Sequence, residues 1–176
     1  PTTATPPLRH ETTAGNYSVA NYPPFAFWKP EFVGQFEAAL DRPRLTLDSQ
    51  RSTIFGQYVH IPFCRKRCHF CYFKVYTDKD SSEVRGYLDA LLSELNVYAR
   101  KPAIRGRKPR FVYFGGGTPS YLSPDQLNFL TDGMKRLLSW EEVEEVTFEA
   151  EPGTLTDHKL KAILDLGVTR LSLGIE

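Results

Sequence analysis

The chain has 176 residues, 41% hydrophobic and 24% charged, with 22 Lys+Arg against 21 Asp+Glu. That is the composition of one ordinary globular domain, not of a disordered chain, and a net charge of +1 gives no electrostatic reason to expect nucleic acid as a partner. No run of about 18 apolar residues is present, so no membrane span is expected, and the first fifteen residues lack the apolar core of a signal peptide.

These features make a cytoplasmic protein the expectation. The chain starts at Pro1 and ends at Glu176 inside a strand-like pattern, so a piece of a longer protein is expected. Residues 1–15 are polar and rich in Pro and Thr, and read as a disordered arm. In residues 16–30, aromatics alternate with prolines that deny a helix. Phe32, Phe36, Ala39 and Leu40 then follow helical spacing, giving a short helix after Pro30. Residues 41–55 read as a linker, which makes 16–55 an irregular N-terminal arm and linker.

From Gly56 the pattern is regular. Tyr58–Ile61 is rich in β formers and reads as a strand. Asp80 and Glu83 stand in capping-box spacing before an amphipathic run through Val84, Leu88, Leu91, Leu95 and Tyr98. The basic stretch Arg100–Arg110 reads as a solvated loop, and Phe111–Phe114 as a buried strand. Ser123-Pro124-Asp125-Gln126 is a second capping box, opening a helix that buries Leu127, Leu130, Met134, Leu137 and Leu138. Val146–Ala150 is a third strand. A third helix carries Leu160, Ile163 and Leu164 and stops at Gly167, and Arg170–Ile175 is a fourth strand. Alternating strands and helices predict βαβ units and a parallel sheet, here part of a larger barrel or open sheet. Ligands of such sheets sit at the carboxyl ends of the strands. Cys64, Gly115–Ser120, Glu149, Glu151 and Glu176 all fall there.

The three cysteines lie at Cys64, Cys68 and Cys71. An odd number so closely spaced is a poor disulfide framework. Three thiolates on one loop suit a 4Fe-4S cluster, leaving one iron open to an outside ligand. Arg65, Lys66 and Arg67 would offset the charge of an anionic cluster. A zinc site of three cysteines with His69 or His60 is the competing metal reading, and unligated core thiols are the bland one. The three glycines of Phe114-Gly115-Gly116-Gly117-Thr118-Pro119-Ser120 either let the backbone approach a ligand or simply make a tight turn. Glu149 and Glu151 share a strand face, and their bland reading is a solvated acidic strand end continuous with Glu141, Glu142, Glu144 and Glu145.

Cys64-x3-Cys68-x2-Cys71 after a strand resembles the cluster loop of the radical SAM superfamily. The ordered blocks YVHIPFC, YFGGGTPSYL, TFEAEPGTL and GVTRLSLGIE resemble the oxygen-independent coproporphyrinogen III oxidase family, over residues 56–176. The resemblance implies a partial (βα) barrel with parallel strands, of which 56–176 is the N-terminal part, truncated. It implies a 4Fe-4S cluster on Cys64, Cys68 and Cys71, with S-adenosylmethionine on the open iron. In that family an electron from the cluster cleaves the sulfonium, methionine leaves, and a 5′-deoxyadenosyl radical abstracts hydrogen from the substrate. By position, Tyr58 lies near the sulfonium and Phe70 near the adenine. Gly116, Gly117 and Thr118 bind the methionine amino group, Glu149 holds the ribose hydroxyls, and Glu176 is a further ligand contact.

The implied partners are a porphyrin-like small-molecule substrate and an electron donor. More loosely, residues 21–40 resemble the family's N-terminal arm, which reaches toward the substrate. Phe73 stands where the oxidase proper usually has a further Cys, and Glu176 where the family commonly has Gln. Oxidative decarboxylation of coproporphyrinogen is the first expectation, with radical C-methyltransferase and heme chaperone as alternatives on the same scaffold. The 176-residue piece by itself is expected to be inactive.

Overall fold

A computed structural model describes residues 29–42, 54–71 and 73–175. The expected arm at 1–15, most of the arm and linker at 16–55, and the expected contact at Glu176 lie outside the described residues. Four strands are present: β1 Gly56–Ile61, β2 Phe111–Gly116, β3 Glu145–Ala150 and β4 Arg170–Leu173. They pair in parallel in the order β1-β2-β3-β4. Helix α1 is Val33–Leu40, α2 is Ser81–Arg100, α3 is Pro124–Leu137 and α4 is Asp157–Asp165. The last three each connect one strand to the next. Sequential strand order is that of a barrel wall, because an open doubly wound sheet reverses its order at a switch point.

Both expected capping boxes form. Asp80 Oδ1 accepts from Ser82 N at 2.8 Å and Glu83 N at 2.9 Å, and Glu83 Oε2 accepts from Asp80 N. Ser123 Oγ accepts from Gln126 N at 3.2 Å while Gln126 Oε1 accepts from Ser123 N at 2.9 Å. Each box satisfies backbone donors that a helix start leaves unpaired.

The core lies between one sheet face and the crossover helices. Val59, Ile61, Val112, Phe114, Val146 and Phe148 alternate along the strands and pack with Val84, Leu88, Leu127, Leu130, Met134 and Ile163. The intervening residues Tyr58, His60, Tyr113 and Glu149 take the opposite face, which among the described residues carries none of the crossover helices, as the two-residue strand period requires.

One expectation needs adjustment: the helix opened by Ser123 buries Leu127, Leu130 and Met134, whereas Leu137 is only half-buried and Leu138 lies just past the helix end. Helix α1 forms but buries no residue: Phe36 is 53% exposed, touching Tyr98 edge-on. On α2 Val84 and Leu88 are fully buried, and Tyr87, Leu91, Leu92 and Leu95 pack half-buried against the same core. The basic stretch at 100–110 is an exposed connection, as expected, and cations in it pair on the surface with the acidic run at 141–145. Lys108 pairs with Glu141 at 2.6 Å, and Arg110 with Glu144.

Candidate cofactor site

The cysteine loop is closed at its base by backbone. Cys64 N donates to Tyr76 O at 3.1 Å and Tyr76 N to Pro62 O at 2.8 Å, a parallel bridge between Phe63 and Tyr76. Inside the loop, Cys71 N donates to Cys68 O at 3.1 Å, and Arg67 Nη2 caps Cys71 O at 3.0 Å. Arg65 reaches across to Gly153 O at 3.2 Å.

The glycine turn after β2 is pressed against this loop. Gly117 N donates to Ile61 O at 2.8 Å and Thr118 N to Phe63 O at 2.9 Å. A Cβ on Gly117 would stand 2.9 Å from Cys64 Sγ and 3.0 Å from the carbonyl oxygens of Ile61 and Phe63. Two of those three obstacles are backbone and cannot swing away, so only glycine fits. Thr118 Oγ1 donates to Cys64 Sγ at 3.3 Å. Burial pushes the Cys64 thiol up from its ordinary value; the Thr118 bond pulls against it, and the neighbouring Cys71, Cys68 and Glu151 add to the rise.

A second brace holds the end of β3 beside the turn. Buried Ser120 shares a short hydrogen bond with Thr154 and accepts from Glu151 N at 3.1 Å. Lys159 Nζ donates to Ser120 O at 2.5 Å. Burial, with Arg65 adding to it, holds Lys159 below the usual lysine range.

These contacts create one cavity of about 550 Å³ at the carboxyl ends of the strands. Cys64, Cys68 and Cys71 border it together with Phe70, Gly116, Gly117, Thr118 and Glu149. Eight of the ten expected site residues are thus gathered around one space. Tyr58 is not among its lining residues. It is 56% exposed, sharing a 3.1 Å hydrogen bond with His60 Nδ1, and it borders a separate cavity near α1. Glu151, Lys66 and Phe73 also border the cysteine cavity.

Two features escaped the sequence reading. The Ser120–Thr154–Lys159 brace joins distant loops and leaves no local pattern. Tyr113, which donates to Glu149 Oε1 at 2.5 Å, is the other, and its one sequence signal is the period-two relation to Gly115 on the same strand.

Among the described residues no group of three His, Cys, Asp or Glu side chains is arranged to hold a single metal ion. A zinc site needs donors that converge on one ion. A cubane asks for something different, because each cysteine takes its own iron. Three thiols around a roomy cavity, one of them backed by a glycine turn, fit the larger group.

The structure thus presents a parallel βα wall with a three-cysteine loop and a glycine turn bordering one cavity at its carboxyl edge. The Radical SAM superfamily model matches residues 58–176. The chain belongs to the radical SAM superfamily, whose cofactors are a 4Fe-4S cluster and S-adenosylmethionine. It is 39% identical over 123 residues to the heme chaperone HemW of Bacillus subtilis, covering 68% of this chain and 31% of that protein. It is 30% identical over 158 residues to the oxygen-independent coproporphyrinogen III oxidase of Synechocystis, covering 89% of this chain and 32% of that one. The structure of coproporphyrinogen III oxidase (HemN) from Escherichia coli, a radical SAM enzyme, superposes with a TM-score of 0.65 at 28% identity, over 81% of this chain and 31% of HemN. The chain therefore spans about a third of the length of each of these relatives.

Proposed function

We propose that this chain supplies the cofactor-binding part of an enzyme that cleaves S-adenosylmethionine reductively and acts on a porphyrin-like substrate. The observation that carries the reading is the shared cavity, where three cysteines, a glycine turn and a carboxylate border one space. Residues 56–176 form the N-terminal part of the catalytic core, preceded by an arm and linker at 16–55.

When bound, the cluster supplies one electron and S-adenosylmethionine the sulfonium whose cleavage yields a hydrogen-abstracting radical. Cys64, Cys68 and Cys71 hold the cluster. Gly116, Gly117 and Thr118 offer backbone and hydroxyl to the methionine end of S-adenosylmethionine, Phe70 packs near its adenine, and Glu149 accepts from its ribose hydroxyls. Tyr58 and Glu176 are further contacts, Tyr58 from the edge of the site. An electron donor is required, and among the described residues no helix is long and apolar enough to cross a membrane.

The first reading of the reaction is oxidative decarboxylation of coproporphyrinogen III, as the names of the Synechocystis and Escherichia coli relatives suggest. A second reading, a heme chaperone, is favoured by the higher identity to the Bacillus subtilis protein. The test is anaerobic incubation of the full-length, cluster-loaded gene product with a reductant, S-adenosylmethionine and coproporphyrinogen III. Release of CO₂ together with methionine and 5′-deoxyadenosine supports the oxidase. Heme binding without S-adenosylmethionine turnover supports the chaperone and contradicts the oxidase, as does a methylated product, which would point to a methyltransferase.

A further inference from the structure

The sheet face opposite the apolar core carries Tyr58 on β1, Tyr113 on β2 and Glu149 on β3. Tyr58 and Tyr113 are register partners, and their rings stack with centroids 5.9 Å apart and planes at 27°. Thr147 is the register partner of Tyr113, and Glu149 lies two residues further along β3 on the same face. The phenol therefore reaches diagonally across the strands to place its hydroxyl on Glu149 Oε1 at 2.5 Å.

That diagonal is open because Gly115 stands in it. A Cβ there would meet Tyr113 Cε1 at 2.8 Å and Glu149 Oε2 at 3.1 Å. Glu149 borders the cysteine cavity, whereas Tyr113 is not among the residues that line it. The tyrosine thus acts on that space only through the carboxylate.

We infer that Tyr113 is a positioning residue that fixes the Glu149 carboxylate for a ligand bearing a vicinal diol, and so sets the cavity's preference for a ribose. The inference rests on the proposed role of Glu149 as the ribose contact. A free glutamate turns about three side-chain bonds, and anchoring one oxygen on a stacked ring removes much of that freedom. An ionised carboxylate offers about four acceptor positions, so one bond from Tyr113 leaves capacity for two hydroxyl donors. The hydrogen bond to Glu149 pushes the Tyr113 hydroxyl up to about 12, with burial adding to it, so the phenol remains a donor across neutral pH.

The test is equilibrium binding of S-adenosylmethionine and of its 2′,3′-dideoxy analogue to the anaerobically reconstituted full-length protein, unsubstituted and as Tyr113→Phe. Phenylalanine keeps the ring and its stack on Tyr58 and removes only the hydroxyl. The unsubstituted protein should prefer the diol-bearing ligand. Tyr113→Phe should weaken S-adenosylmethionine about tenfold, by analogy with residues that orient direct ligands, and leave the analogue unchanged. Glu149→Gln alone should lose the preference, and adding Tyr113→Phe to it should change little more. A Tyr113→Phe protein that keeps its preference, or binds the diol more tightly, overturns the positioning role while the Glu149 contact stands. Equal weakening of both ligands marks a merely structural role and overturns it too. Equal binding of both ligands by the unsubstituted protein overturns the Glu149 contact and the positioning role with it.

Discussion

At the scale of single residues, His60 shows how tightly this end of the sheet is packed. Gly116 lies against its ring, and its Nδ1 meets the Tyr58 hydroxyl. Burial lowers its pKa from 6.5, and Glu149 offsets part of that drop. The unfolded chain therefore takes up this proton at a higher pH than the folded protein does. Stability from this residue is intact above about pH 6.5 and is lost as the pH falls toward the lower folded value. We predict that the melting temperature falls between pH 7.5 and pH 5.5 and that His60→Gln flattens part of the fall. An unchanged slope in the variant would show that His60 contributes nothing to the pH dependence. In the sequence His60 enters only as a possible fourth zinc ligand, and the structure gives it a hydrogen bond with Tyr58. Tyr113 and Ser120 were not legible in the same way, since each draws its role from partners more than thirty residues distant.

At the scale of elements, local signals were strong where the chemistry is local. Both capping boxes are spelled out within four residues, and both form. The four strands were found with their ends displaced by one or two residues, because pairing with a neighbour extends β1 back to Gly56 and β2 on to Gly116. Helix α1 was legible as a helix, but its exposure was not, since helical spacing does not say whether a surface waits opposite. The pairing of Lys108 and Arg110 with the acidic run was also hidden, as it depends on β2 and β3 lying side by side. These exposed pairs contribute little to stability. The α3 cap contributes more, because the helix behind it buries Leu127, Leu130 and Met134. We predict that Ser123→Ala lowers stability by about 1 kcal/mol, read as a reduced urea midpoint, and that Ser123→Asp retains most of it. A midpoint unmoved by Ser123→Ala would mean that solvent replaces the cap.

At the scale of the whole molecule, the sheet is covered by helices on one face and carries the polar cluster on the other. Beyond β3 the cover thins: Leu164 is 70% exposed, and Leu171 and Leu173 on β4 are open to solvent. Parallel sheets are normally covered on both faces, and this chain spans about a third of its relatives' length. The gathering of the cysteine loop, the glycine turn and Glu149 at one edge was legible because βα topology sends every strand's carboxyl end to the same side. The displacement of Tyr58 from that cavity was not, because motif order fixes a residue's strand and face but not its distance from a site.

If Cys64, Cys68 and Cys71 together hold a four-iron cluster, anaerobic reconstitution with ferrous iron and sulfide will load it. Metal and sulfide analysis should find about four of each per chain. A brown chromophore should appear in the unsubstituted protein and be lost in the Cys64→Ser, Cys68→Ser and Cys71→Ser variants. Zinc bound without sulfide, or a protein that takes up neither iron nor sulfide, would contradict that assignment.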